Sequence, residues 1–256
     1  MIKAVFFDVD GTLFSHHTGE ISKSTRDAVE HLHKQGIPPI IATGRHMLEL
    51  MDMPVLDLPY GGYITLNGQL CLDENRKLFY GNAIEGEDKQ QLVEIFEEKK
   101  IPLMFIEENR MYINFVNEAV IQAQADIHTA VPDVDTYHGD AVYMAVAYLN
   151  KEQEITIEPF LRGCKITRWN QNAVDIISAS GGKISGIKHY MKQNGWQAEE
   201  LMAFGDADND IEMLKFAGIG IAMGNAKPHV KEQADYVTAD VDAGGIEEGL
   251  RHFGVL

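Results

Sequence analysis

The chain opens on an unbroken apolar run, "IKAVFF" from Ile2 to Phe7, and turns abruptly polar at "DVDGTL". A strand covered on both faces reads this way, so the pattern predicts a buried parallel strand that ends where the aspartates begin. "STRDAVEHLHKQG" follows at helical spacing, with Ser24 placed to cap it, Asp27 to complete a capping box and Gly36 to end it. "IPPIIATGR" predicts a second buried strand closing at Thr43, and "HMLELMDM" a second helix. Strand, helix, strand, helix is the grammar of a parallel sheet with right-handed crossovers.

The end of the chain repeats that grammar. "ELMAFGDADND" reads as a strand running into an acidic loop, "IEMLKFAG" as a helix closed by Gly218, and "IGIAM" as a strand. "AKPHVKEQA", "YVT" and "GIEEGLRHF" then predict helix, strand and helix. Between these halves, over residues 82–180, the pattern changes. "DKQQLVEIFEEKK" is amphipathic, with Leu92, Val93, Ile95 and Phe96 on one side. "PLMFI" and "MYINFV" form a hairpin around "EENR", and "CKITRW" and "AVDIIS" a second around "NQN". A helix over "NEAVIQAQADIHTAV", a strand "VYMAVAYL" and a helical "KEQEITIEPFL" lie between them. Tight hairpins imply antiparallel pairing, so this block is expected to be a separate α+β domain inserted into the sheet domain formed by residues 1–81 and 181–256.

Charge narrows the partners. The 39 acidic against 22 basic residues give a net charge of −17, which opposes nucleic acid and anionic membrane. A small phosphorylated ligand stays possible, because a few local cations or a bound metal reverse the sign inside a pocket. The two cysteines, Cys71 and Cys164, lack zinc or redox spacing and read as reduced core thiols. The short apolar N-terminus does not read as a signal peptide, and no stretch is long enough to span a bilayer, so a cytoplasmic protein is expected.

In an open parallel sheet the loops at the carboxyl ends of the strands form the ligand crevice. Three polar motifs fall at such ends: Asp8 with Asp10, Thr43 with Arg45, and "GDADND" from Gly205 to Asp210. Several carboxylates at one edge repel one another and suggest a bound cation, and oxygen ligands without histidine or cysteine point to magnesium. Each motif also has a plain reading: "DG" as a turn, "DADND" as a solvated loop or helix cap. An EF-hand does not fit, since "DADNDIEMLKFA" lacks its glycine and distal glutamate.

Taken in order, these stretches resemble the motifs of haloacid dehalogenase superfamily phosphatases, in the Cof-type or class IIB subgroup. "DVDGTL" from Asp8 resembles the first motif, "TGR" from Thr43 the second, Lys183 in "GGKISGI" the third and "GDADND" the fourth, with "LNG" at Asn67 a further subgroup element. The residue after Lys183 departs from the commoner glycine. The resemblance implies a Rossmann-like open parallel sheet with an inserted α+β cap acting as a lid. It implies a Mg2+-dependent phosphatase acting on small phosphomonoesters, phosphosugars or phosphorylated cofactors, as a monomer or homodimer. Asp8 would be the nucleophile, forming an aspartyl phosphate, and Asp10 the general acid/base. The Asp8 side chain, the Asp10 carbonyl and Asp206 would hold the metal. Thr43, Gly44, Lys183 and Asn209 would meet the phosphate, with Asp210 in support.

A phosphomutase would use the same intermediate, and a non-catalytic phospho-ligand sensor would need no Asp8–Asp10 pair. Other residues keep two readings. Arg45 is a substrate contact or a structural rim residue, His16 and His17 gate the pocket or are merely solvated, and Asn67 with Gly68 is a subgroup element or only a turn signal. Arg110, at a hairpin tip, selects a leaving group or is solvated, while Met47, Met51 and Met53 read as helix packing.

Overall fold

The computed structural model describes residues 1–127 and 129–256. In chain order the strands are β1 (Ala4–Phe7), β2 (Pro39–Ala42), β3 (Gly62–Thr65), β4 (Leu70–Asp73), β5 (Leu78–Gly81), β6 (Leu103–Ile106), β7 (Met111–Ile113), β8 (Met144–Ala147), β9 (Cys164–Asn170), β10 (Ala173–Ser178), β11 (Leu201–Gly205), β12 (Ile219–Ala222) and β13 (Tyr236–Val237). The helices are α1 (Lys23–Lys34), α2 (Met47–Met51), α3 (Gly86–Glu98), α4 (Glu118–Asp126), α5 (Lys151–Ile157), α6 (Lys183–Asn194), α7 (Ile211–Phe216), α8 (Pro228–Lys231) and α9 (Gly245–His252).

The chain divides into two compact units, Met1–Tyr80 with Gly182–Leu256, and Gly81–Gly181. The first holds a sheet in the order β13-β12-β11-β1-β2-β3-β4-β5. From β13 to β3 every pairing is parallel, and β4 turns back antiparallel on β3. The chain runs outward from β1 through β2 to β3, then returns to β11 on the other side of β1 and runs outward through β12 to β13. The switch in direction falls between β1 and β11, where Phe7 pairs with Phe204. In open α/β sheets a crevice opens beyond the strand ends at such a point. β1, β2 and β11 are buried along their whole lengths, which is why they read as continuous apolar runs. One packed cluster on the sheet joins Phe6, Ile40 and Ile64 to Ile187 and Tyr190 of α6.

The second unit holds a sheet in the order β7-β6-β8-β10-β9, antiparallel at every pairing. Its core gathers Leu92 and Phe96 of α3 with Leu103, Phe105, Ala145, Val174 and Ile176 of the strands.

Several local expectations shift. Ser22, not Ser24, caps α1: its extended backbone lets its hydroxyl accept from Thr25 N at 3.2 Å, while Ser24 lies inside the first turn. The helix expected over 117–131 ends at Asp126, and His128 within that span lies outside the described residues. Met47 is buried as helix packing requires, but Met51 is 57% exposed. Cys71 is buried and Cys164 only partly so; both thiols are free, and burial pushes each up to about 12. Residues 62–81 carry no strand expectation, yet β3, β4 and β5 form there; β5 is only partly buried and so shows no apolar run.

Candidate active site

Asp8 is the first residue past β1, and its N–H donates to Phe204 O of β11 at 3.0 Å. That bond anchors the aspartate beside the strand from which Asp206 emerges. Lys183, first residue of α6, reaches the same point. Its ammonium donates to Asp8 Oδ1 at 2.5 Å and to Asp210 Oδ1 at 2.6 Å, and all three side chains are buried. The other Asp210 oxygen accepts from the N–H groups of Asp206 and Ala207, both at 2.9 Å. Asp210 therefore fastens the acidic loop to the lysine.

Asp206 Oδ1 accepts from the Thr12 hydroxyl at 3.2 Å, and its Oδ2 from Asn225 Nδ2 at 3.2 Å. Asn225 also donates to Gly11 O at 2.8 Å and accepts from Val241 N at 3.0 Å. One amide thus ties the loops after β1, β11 and β12. Gly11, at φ 79°, must be glycine: a Cβ there would stand 2.4 Å from Asp206 Oδ2.

Asp10 faces a different partner. Arg45 grips both its oxygens, Nε to Oδ2 at 2.7 Å and Nη2 to Oδ1 at 2.8 Å, and His16 Nε2 stands 2.8 Å from Oδ1. Such a two-pronged contact is the strong form of a guanidinium–carboxylate pair. Arg45 N in turn donates to the Thr43 hydroxyl at 3.1 Å, which leaves that buried hydroxyl's own proton for another acceptor. Gly44 lies beside the Asn67 amide, and Asn209, exposed, donates from Nδ2 to Asn67 Oδ1 at 3.0 Å. His17 is 3.7 Å from Asp242, away from this group. Arg110 belongs to the Gly81–Gly181 unit, where it pairs with Glu107 at 2.7 Å beside a cavity of ≈ 380 Å³.

The electrostatics follow from crowding. Burial, then Asp210, pushes the Asp8 carboxyl well above its ordinary range against the pull of Lys183. Burial and Asp210 likewise raise Asp206 to about 6. Burial would strip the Lys183 proton, but Asp210 and Asp8 outweigh it and hold the ammonium charged. At Asp10 burial pushes upward, yet Arg45 and His16 prevail and hold the carboxyl below its ordinary value. Oxygens of Asp8, Asp206 and Asp210 lie within 4.8 Å of one another. Carboxylates so close to one another fit a hard divalent cation, whose charge would relieve their repulsion. Asp210 is fully buried and bound to Lys183 and to its own loop, which leaves Asp8 and the partly exposed Asp206 as the better placed donors.

The haloacid dehalogenase-like hydrolase pattern matches residues 5–250. The chain belongs to that family. YkrA of Bacillus subtilis is 32% identical over 258 residues, covering 99% of this chain and 98% of its own. A 5-amino-6-(5-phospho-D-ribitylamino)uracil phosphatase of the same organism, YcsE, is 25% identical over 98% of this chain and 96% of its own. Among solved structures, the subclass IIB sugar phosphatase BT4131 is 36% identical with a TM-score of 0.85, covering 99% of this chain and 100% of its own. BT1666 of Bacteroides thetaiotaomicron, described among phosphatases of the superfamily, is 34% identical with a TM-score of 0.91, covering 100% and 96%. This haloacid dehalogenase-like hydrolase is accordingly a phosphatase, a phosphoric monoester hydrolase. Among its described residues no helix is long and apolar enough to cross a membrane.

One residue at this site, Asn225, is not among the sequence expectations, and the role of another, Arg45, stays open in the sequence. Asn225, in "MGNAKP", shares the strand-end position of the acidic motifs, which is the signal that marks it. Arg45 was left open between two roles, and no spacing rule reveals a contact with a residue 35 positions away.

Proposed function

We propose that this phosphatase hydrolyses small phosphomonoesters, phosphosugars or phosphorylated cofactors, by passing the phosphoryl group through Asp8 with the help of Mg2+. The observation that carries the reading is the convergence at the β1/β11 switch point: a buried ammonium 2.5 Å from Asp8 Oδ1 beside carboxylates that only a cation would balance. A non-catalytic sensor has no use for the second aspartate held two residues on.

In the first step an Asp8 oxygen attacks phosphorus, and the bond from phosphorus to the ester oxygen breaks. Asp10, carrying a proton, gives it to the departing oxygen. In the second, a water oxygen attacks phosphorus, its proton passes to Asp10, and Asp8 leaves as a carboxylate. The Arg45 fork favours the ionised form of Asp10, so Asp10 takes up a proton from solvent before the first step and, having given it to the departing oxygen, is left in the form that receives the water's proton. Thr43 donates its free hydroxyl proton to a phosphoryl oxygen, and Lys183 offsets charge on the transferring group. Asp8, the Asp10 carbonyl and Asp206 would hold magnesium, which when bound neutralises carboxylate and phosphate charge.

The residues named above serve the phosphoryl group and the departing oxygen, so choice among esters falls to residues outside this set. The sugar phosphatase among the structural relatives supports phosphosugars as the first substrates to try. The test is phosphate release from a panel of sugar phosphates, phosphorylated cofactors and an aryl phosphate, with magnesium or chelator, for wild type and Asp8→Asn. Magnesium-dependent release that Asp8→Asn abolishes is expected. Release that persists in Asp8→Asn, or is unchanged by chelator, overturns the reading.

A further inference from the structure

Three consecutive residues, Leu66, Asn67 and Gly68, have left-handed backbone, at φ 50°, 51° and 88°. For a buried leucine that conformation is an outlier, and such strain persists only where the surroundings over-determine it. Four hydrogen bonds supply that constraint. Leu66 N donates to Arg45 O at 3.1 Å and Asn67 N to Thr43 O at 2.9 Å, while Asn67 O accepts from Gly182 N at 2.8 Å. The Asn67 side chain adds the fourth through Oδ1, which accepts from Asn209. Gly68 completes the fit, because a Cβ there would stand 2.0 Å from Gly182 O.

We propose that Asn67 is a positioning residue that registers the three phosphate-facing loops of this site. It touches the "TGR" loop through Thr43 and Gly44, the residue before Lys183 through Gly182, and the acidic loop through Asn209. The assignment rests on the phosphatase reading above and extends it to a residue with no chemistry of its own. Asparagine suits the backbone, since it tolerates the left-handed region better than other non-glycine residues. A turn alone needs nothing more. The bond to Asn209 goes further, because it orders an exposed side chain that solvent would otherwise leave free to rotate.

Asn67→Gly separates the two roles: glycine keeps the left-handed backbone and its main-chain bonds and removes only the carboxamide. In the full chain we measure thermal midpoint, inorganic phosphate affinity by calorimetry and kcat/KM on an aryl phosphate, for Asn67→Gly, Asn209→Ala and the double variant. The expected result is a wild-type midpoint for Asn67→Gly with phosphate affinity and kcat/KM lowered roughly tenfold, about the weight of one hydrogen bond. In the Asn209→Ala background the same change should cost nothing further, since coupled residues are non-additive. Wild-type phosphate affinity in Asn67→Gly, additive losses, or failure of that variant to fold would each overturn the proposal. Should the wild type bind phosphate yet hydrolyse no ester, the phosphatase reading fails while the binding cycle still decides on Asn67; a wild type that binds no phosphate overturns both.

Discussion

The Lys183 ammonium lies 2.5 Å from Asp8 Oδ1, although 175 residues separate them along the chain. Neither side chain has contact with bulk water worth counting, so each depends on the other for its charge. Replacing the lysine strands two buried carboxylates. Lys183→Met is therefore expected to destabilise the first unit by about 3–5 kcal/mol and to abolish turnover. Urea unfolding checks the first effect, and magnesium should restore part of the loss by supplying the missing positive charge.

Arg45 acts through Asp10. Lysine cannot reproduce the fork that grips both oxygens at 2.7 and 2.8 Å, so Arg45→Lys is not conservative here. We expect kcat to fall roughly 10- to 100-fold with little change in KM, because Asp10, the proposed general acid/base, loses its orientation while the proposed phosphate contacts remain. A rise in KM at unchanged kcat would instead make Arg45 a substrate contact.

Asn225 braces Asp206 from outside the donor set. Groups that orient a metal ligand commonly change affinity by about 10- to 100-fold when removed. Asn225→Ala should raise the magnesium concentration for half-maximal activity by that factor and leave the rate at saturating magnesium close to wild type. A titration of activity against magnesium reads both.

Away from the site, His189 stacks on Tyr80 with ring centroids 3.4 Å apart, and burial followed by Lys192 lowers its proton affinity. The unfolded chain, with the ordinary histidine value of 6.5, then takes up the proton first as pH falls. Stability from this residue is present above that value and lost as pH drops through it toward the lower folded value. The difference in thermal midpoint between wild type and His189→Gln should be larger at pH 8 than at pH 5.5. A pH-independent difference would show that the stack does not discriminate against the charged ring.

Much of the site was legible because parallel strands announce themselves. β1, β2 and β11 are continuous apolar runs, and Asp8, Thr43 and Asp206 each stand at or just past the end of one. Strand ends in such a sheet share an edge, so the structure brings these residues together, with Lys183 and Asp210 beside them. Pairings between loops were not legible. That Arg45 would seize Asp10, or Asn225 bridge Gly11 and Asp206, depends on loop backbone and strand register, which no local period encodes. The left-handed run at Leu66 was equally hidden: "LNG" signals a turn through Asn67 and Gly68, and nothing about leucine foretells a positive φ.

In the proposed mechanism the phosphoryl group rests on Asp8 between two chemical steps. Asp10→Ala isolates the first of these steps, because it removes the proposed base for the attacking water and keeps the backbone carbonyl proposed for the metal. An aryl phosphate whose phenolate departs without a proton bypasses the need for the acid. With this variant, magnesium and excess substrate, the account predicts a burst of phenolate equal to the enzyme present, then near-silence, with phosphate found by mass spectrometry on the peptide containing Asp8. Steady release without a burst, or phosphate on any other residue, would contradict it.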